Sequence, residues 1–149
     1  MSKAFTKDDV PEAPVVVRHR PSLPDGVPNY VTARGLVALR AGLAAVGPDN
    51  PRRAELEQRV ASAVVVPPPA EQEEVRFGAN VTLRGADGRT RQVRIVGVDE
   101  ADPVVGLIAF VAPLARALLG RRAGDVVDVK APGGGEELEI LAVDYEDGG

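Results

Sequence analysis

Residues 77–98 read FGANVTLRGADGRTRQVRIVGV, and the punctuation of this stretch decides the fold. Val81 and Leu83 alternate with polar neighbours, the period-two pattern of a strand with one buried face. Ala86-Asp87-Gly88 then makes a turn, and Val93, Ile95 and Val98 resume the apolar pattern. The stretch predicts a β-hairpin. Downstream, an apolar run from Leu107 to Val111 precedes Pro113. Residues Leu114 to Leu119 have helix-forming composition, with proline at the start and Gly120 at the end. Gly124-Asp125 turns into a strand through Val127 and Val129, and Pro132-Gly133-Gly134-Gly135 makes a loop. Leu138, Ile140 and Ala142 alternate in a last strand that ends near Tyr145. An antiparallel sheet folded against one short helix satisfies these signals.

Upstream, the period changes. Leu36, Leu39, Leu43 and Val46 recur at three- and four-residue steps, which places them on one helix face. Thr32 caps its start and Gly47-Pro48 stops it. Gly35 and Gly42 weaken this helix by about 1 kcal/mol each relative to Ala, so it needs a packing partner. Asn50-Pro51 starts that partner, whose stripe is Leu56, Val60 and Ala63. So short a link makes the pair an antiparallel helical hairpin, with a reach of roughly 20 Å at 1.5 Å per residue. The class is therefore α+β. Four segments are expected: an extended or disordered arm over 1–29, the hairpin over 30–66, a Pro/Glu linker over 67–74 and the sheet domain over 75–147.

Composition narrows the function. Hydrophobic residues make up 44% of the 149 residues but aromatics only 3%, so the core is built from Val, Leu, Ile and Ala. A pocket lined by aromatic rings is hard to assemble from so few. A net charge of −4 argues against a nucleic-acid binder that relies on overall positive charge. With no cysteine and a single histidine, His19, there are no disulfides or thiolate metal sites, and most His-based schemes fall away. Neither a metal nor a cofactor is expected. No apolar signal core and no run of about 18 apolar residues is present, so a cytoplasmic protein without membrane contact is expected.

Several blocks then become specific. Residues 77–85 (FGANVTLRG), 95–108 (IVGVDEADPVVGLI), 113–120 (PLARALLG) and 124–129 (GDVVDV), with the Pro132-Gly133 loop and the Val143-Asp144-Tyr145 end, stand in a fixed order. Their order and spacing resemble the FKBP-like C-terminal domain of the Gre transcription elongation factors, over about half the chain. Asn29-Tyr30-Val31-Thr32, with Gly35 and Leu39, is similar to the entry of the Gre coiled coil. The hairpin is truncated, however, and the acidic Asp-x-x-Glu-Asn motif of the Gre tip does not occur. The docking stretch that reads Asp-Ser-Pro in cleavage-stimulating factors is Val111-Ala112-Pro113 here. Both departures resemble the short-hairpin branch, that of the regulator of nucleoside diphosphate kinase.

The resemblance implies a partner, bacterial RNA polymerase, bound at the rim of its secondary channel, with nucleic acid contacted only inside that complex. It implies no catalysis by the chain itself. Docking falls on Val111, Ala112, Pro113 and Leu114, although Val111 can equally end a core strand and Pro113 simply start a helix. The tip carries Asp49, Asn50 and Glu55, where turn residues ahead of a helix also serve as caps. Arg52, Arg53 and Arg59 are candidate basic contacts or a solvated face, and so are Arg84, Arg89, Arg91 and Arg94. Asp99, Glu100 and Asp102 match no calcium pattern. Two other functions follow from the same likeness. One is a transcript-cleavage factor using Asp49 and Glu55. The other is a peptidyl-prolyl isomerase, for which the domain offers only Phe77, Phe110 and Tyr145. A monomer is expected.

Overall fold

The computed structural model describes residues 20–131 and 134–146. His19, most of the expected N-terminal arm and the Pro132-Gly133 part of the expected loop lie outside them. The first elements are β1 (Asn29–Val31), α1 (Ala33–Ala45), α2 (Arg52–Ser62) and β2 (Ala63–Val65). A five-stranded sheet follows, formed by β3 (Asn80–Gly85), β4 (Thr90–Val96), β5 (Leu107–Ala109), β6 (Val126–Ala131) and β7 (Gly134–Asp144), with α3 (Pro113–Leu118) packed on it. The molecule is α+β.

β3 and β4 form the expected antiparallel hairpin, with Val81 opposite Val93 and Leu83 opposite Arg91. Its turn closes through Gly85 N to Arg89 O at 2.9 Å, and Gly88 supplies a φ of 80°. Val81, Leu83, Val93 and Ile95 point into the main core, beside Leu138, Ile140 and the buried α3 residues Ala115 and Leu118. In the order β5-β4-β3-β7-β6, the last strand in sequence lies inside the sheet.

Three features differ from the sequence expectation. First, β5 pairs with β4 in parallel rather than antiparallel. The chain does not turn back directly after β4 but loops through residues 97–106 and a 3-10 turn, Pro103–Val105, and so re-enters alongside in the same direction. Gly106 ends that loop at a φ of 84°, where a Cβ would stand 2.7 Å from Gln92 O. Second, the register slips between Thr82 and Leu83: Thr82 faces Ala142 but Leu83 faces Ile140. Leu141 is the extra residue of a bulge, so the inward set becomes Leu138, Ile140, Val143 and Tyr145, and Ala142 turns outward. Third, Gly134 and Gly135 belong to β7, paired with Ala131 and Lys130, rather than to a loop.

The helical unit begins as predicted. Thr32 Oγ1 accepts from Gly35 N at 2.9 Å, and Asn50 Oδ1 accepts from Arg52 N at 2.9 Å. Leu39 and Leu56 are buried at the centre of the two facing stripes. The helix of 13 residues spans ~20 Å and that of 11 residues ~17 Å, at 1.5 Å per residue. Ala63 was expected on the second stripe but instead opens β2, which pairs in parallel with β1. Three consecutive valines followed by three prolines cannot continue a helix. The Asn29 amide donates to Arg59 O and Ser62 Oγ at 3.4 and 3.2 Å, closing the exposed end of α2.

Candidate functional site

The turn between α1 and α2 is the free end of the finger. Asp49 is exposed there, while the Asn50 side chain is committed to capping Arg52 N. Glu55 lies one turn into α2 and pairs with Arg59 rather than standing beside Asp49. Among the described residues no group of three or more His, Cys, Asp or Glu is placed to hold a metal. Arg53 donates to Val46 O at 3.0 Å and lies 3.8 Å from Glu57, fastening the tip to the helix behind it. The arginines thus divide. Arg52 is exposed, Arg53 braces the tip, and Arg59 turns toward the base of the finger.

At that base Arg59 Nη1 lies 3.1 Å from the Asp99 carboxylate, whose side chain is only 7% exposed. Arg20 reaches the same carboxylate at 2.6 Å. Thr32 Oγ1 donates to Glu100 Oε1 at 2.6 Å, so the α1 cap is itself held by the loop after β4. A Cβ on Gly35 would stand 2.8 Å from that Glu100 oxygen, and one on Gly97 would stand 2.4 Å from Tyr30 O. The finger can sit so close only because both positions lack a side chain. On the other side Glu146 receives Arg34 at 2.7 Å from the finger and Arg94 from the sheet.

Rings fill the space between. Tyr30 of β1 packs edge-on against Phe110 at 5.5 Å and tilted against Phe77 at 6.1 Å, and Phe77 meets Phe110 at 5.5 Å. Two of the rings that the sheet domain offers to an isomerase pocket are therefore packed on Tyr30. The third, Tyr145, bridges the linker: its hydroxyl accepts from Arg76 N at 2.9 Å and donates to Glu74 O at 2.5 Å. Burial pushes the Tyr145 phenol above its usual range, against the opposing effects of the Arg76 backbone bond and charge.

The expected docking segment leads into α3. Val111 and Ala112 pack against a small core of Val96, Val98, Ala101 and Ala109, and Leu114 packs against the main core. Pro113 is exposed at the first position of the helix. The hairpin arginines give no basic patch, because the partner strand and turn neutralise them. Arg84 pairs with Glu139 at 2.6 Å, Arg91 with Glu136 at 3.6 Å and Arg89 with Asp87 at 3.8 Å. Sequence reasoning missed Arg20, Tyr30, Gly97, Asp99, Glu100 and Glu146 as the joint. The local signal for it is the acidic run Asp99, Glu100 and Asp102, which matches no calcium pattern and by itself names no partner.

A short helical finger braced by ion pairs and rings on an α+β sheet domain defines a two-part factor, with an exposed tip turn and an exposed proline at the start of the short helix. The chain belongs to the GreA/GreB transcription elongation factor family: residues 70–145 match the family's C-terminal model. It is similar to transcription elongation factor GreB of Neisseria meningitidis serogroup A, with 46% identity over 92 residues, covering 60% of this chain and 56% of that protein. GreA of Alkalilimnicola ehrlichii is 46% identical over 94 residues, covering 61% and 60%. The chain thus spans a little over half the length of these relatives. Among solved structures, the GreA/GreB factor from Nitrosomonas europaea is 26% identical with a TM-score of 0.46, covering 80% of this chain and 99% of that one. Gfh1 of Thermus thermophilus is 21% identical with a TM-score of 0.45, covering 79% and 99%. No described helix is long and apolar enough to cross a membrane.

Proposed function

We propose that this chain is a non-enzymatic, cytoplasmic regulator that binds bacterial RNA polymerase at the rim of the secondary channel. The sheet domain docks through Val111, Ala112, Pro113 and Leu114, and the finger occupies the channel mouth as a monomeric plug. The observation that carries this reading is the finger itself. It is ~20 Å long, with Asp49 exposed at the tip turn and Glu55 one turn into α2, paired with Arg59. Holding a second magnesium ion takes carboxylate oxygens at coordination distance, and two-metal chemistry sets the ions about 4 Å apart. Carboxylates set apart on so short a finger do not meet that demand, so transcript cleavage is not stimulated. The effect is by mass action instead: the bound plug excludes nucleotides, small regulators or longer channel factors.

A pull-down of purified core polymerase with the full chain tests the docking. Retention that is lost with Val111→Asp supports the reading. Equal retention by the variant moves docking elsewhere, and no retention of either protein removes the reading altogether.

A further inference from the structure

The chain ahead of β1 is fastened to the joint at Arg20. Its guanidinium lies along the Asp99 carboxylate, with Nε at 2.6 Å and Nη2 at 3.3 Å. Three residues on, Leu23 is half-buried against the small core of Val96, Val98, Ala101 and Ala109, between exposed Ser22 and Pro24. A turn closed by Val27 N to Pro24 O at 3.1 Å then leads to β1, with Gly26 at a φ of 81°. Among the described residues the backbone of 20–28 bonds only locally, through this turn and Tyr30 N to Pro28 O at 3.0 Å. The segment is thus held by one ion pair and one apolar side chain.

Both ties release without stranding a charge. Asp99 keeps Arg59 at 3.1 Å when Arg20 leaves, so the buried carboxylate stays paired. Leu23 lies outside the main core of the sheet, and segments with few buried contacts open locally without global unfolding. What such an opening uncovers is specific. It is the small core on which Val111 and Ala112 also pack.

We propose that residues 20–23 are a strap hinged at Gly26, with Arg20 as its latch and Leu23 as its plug, masking apolar surface beside the docking segment. Closed, the strap holds down binding to polymerase. Open, it adds the uncovered small core to the face that Val111 and Ala112 present. The inhibitory role rests on the docking proposed above, whereas the covering of the small core stands without it.

Amide hydrogen exchange of the full chain, followed at residues 98–101 and 109–112, tests the cover. Leu23→Ser should speed exchange there about tenfold, as the loss of a half-buried leucine shifts the opening equilibrium. Arg20→Gln should speed it about threefold, as for a partly exposed ion pair. Val81 and Leu83 in β3 should keep the parent rates in both variants, which reports an intact sheet. Core polymerase should bind both variants more tightly than the parent, Leu23→Ser by at least about threefold, because affinity lost to a mostly closed strap is regained. Unchanged exchange in both variants overturns the strap, whatever the binding. Faster exchange with equal or weaker polymerase binding overturns the masking and makes Leu23 part of the docking face. If polymerase binds neither parent nor variants, the docking reading falls and the inhibitory role with it, while exchange still decides the cover.

Discussion

The Arg59 guanidinium stands 3.1 Å from the Asp99 carboxylate, joining the second helix of the finger to the loop that leaves β4. Asp99 is buried and also receives Arg20, so one carboxylate ties an N-terminal segment, the finger and the sheet domain together. Rings and a threonine cap surround this tie. The finger is therefore set at a fixed angle on the domain that carries it.

Replacing Asp99 tests the tie. Asp99→Asn keeps the shape and removes the charge, leaving Arg20 and Arg59 with a neutral acceptor. Breaking a buried pair by removing one partner can cost several kcal/mol. Arg20 and Arg59 remain 32% and 23% exposed, so solvent screening lowers the expected loss to about 1–2 kcal/mol. Chemical denaturation should report it, with a smaller difference at high salt.

The two close-contact glycines should respond differently to alanine. At Gly97 a methyl group would meet the Tyr30 carbonyl at 2.4 Å, and backbone cannot swing away. Gly97→Ala should cost about 2 kcal/mol or more and lift β1 from the sheet domain. At Gly35 the obstacle is the far end of the Glu100 side chain at 2.8 Å. There the helix gains about 1 kcal/mol of propensity while the Thr32–Glu100 bond is weakened by a similar amount. Thermal unfolding should rank Gly97→Ala far below Gly35→Ala, with the latter near the parent protein.

Tyr145 sets a limit at high pH. Burial raises its folded pKa above the ordinary value of 10.0. Above that value the unfolded chain gives up the phenolic proton while the folded chain still holds it. The stabilisation is thus complete below pH 10 and is lost as pH rises through the folded pKa. Tyr145→Phe should cost about 1 kcal/mol near neutrality, because Glu74 O and Arg76 N lose their bridge. It should also flatten the fall in stability above pH 10. A variant with the same alkaline slope as the parent would contradict this role.

Tip and docking substitutions should separate. Asp49→Asn combined with Glu55→Gln should leave polymerase binding within about twofold, since exposed positions contribute little. Val111→Asp places a charge on a half-buried apolar surface beside Ala112 and should weaken binding at least about tenfold. Equilibrium binding to core polymerase measures both.

Much of the sheet was legible because period-two alternation, turn residues and helix punctuation are local signals. The β3–β4 hairpin, the α3 start at Pro113 and the Thr32 cap all arise from neighbours in sequence. The β-bulge at Leu141 was not legible, since an extra residue shows only against the strand beside it. Ala63 fits a helical stripe and a strand equally, and pairing with Asn29 decides between them. The joint was the hardest part to read. Thr32 with Glu100, Arg59 with Asp99 and Arg34 with Glu146 are distant pairs that no window of sequence brings together. The tip residues and the Val111–Leu114 segment were visible in sequence, but the commitment of Glu55 to Arg59 was not.

The most direct measurement mixes the full chain at saturating concentration with backtracked transcription complexes, alone and together with a cleavage-stimulating Gre factor. The transcripts should stay full length with the chain alone, and cleavage by the added factor should be suppressed. Shortened transcripts from the chain alone, or undiminished cleavage by its competitor, would contradict a plug that docks at the rim and stops short of the active centre.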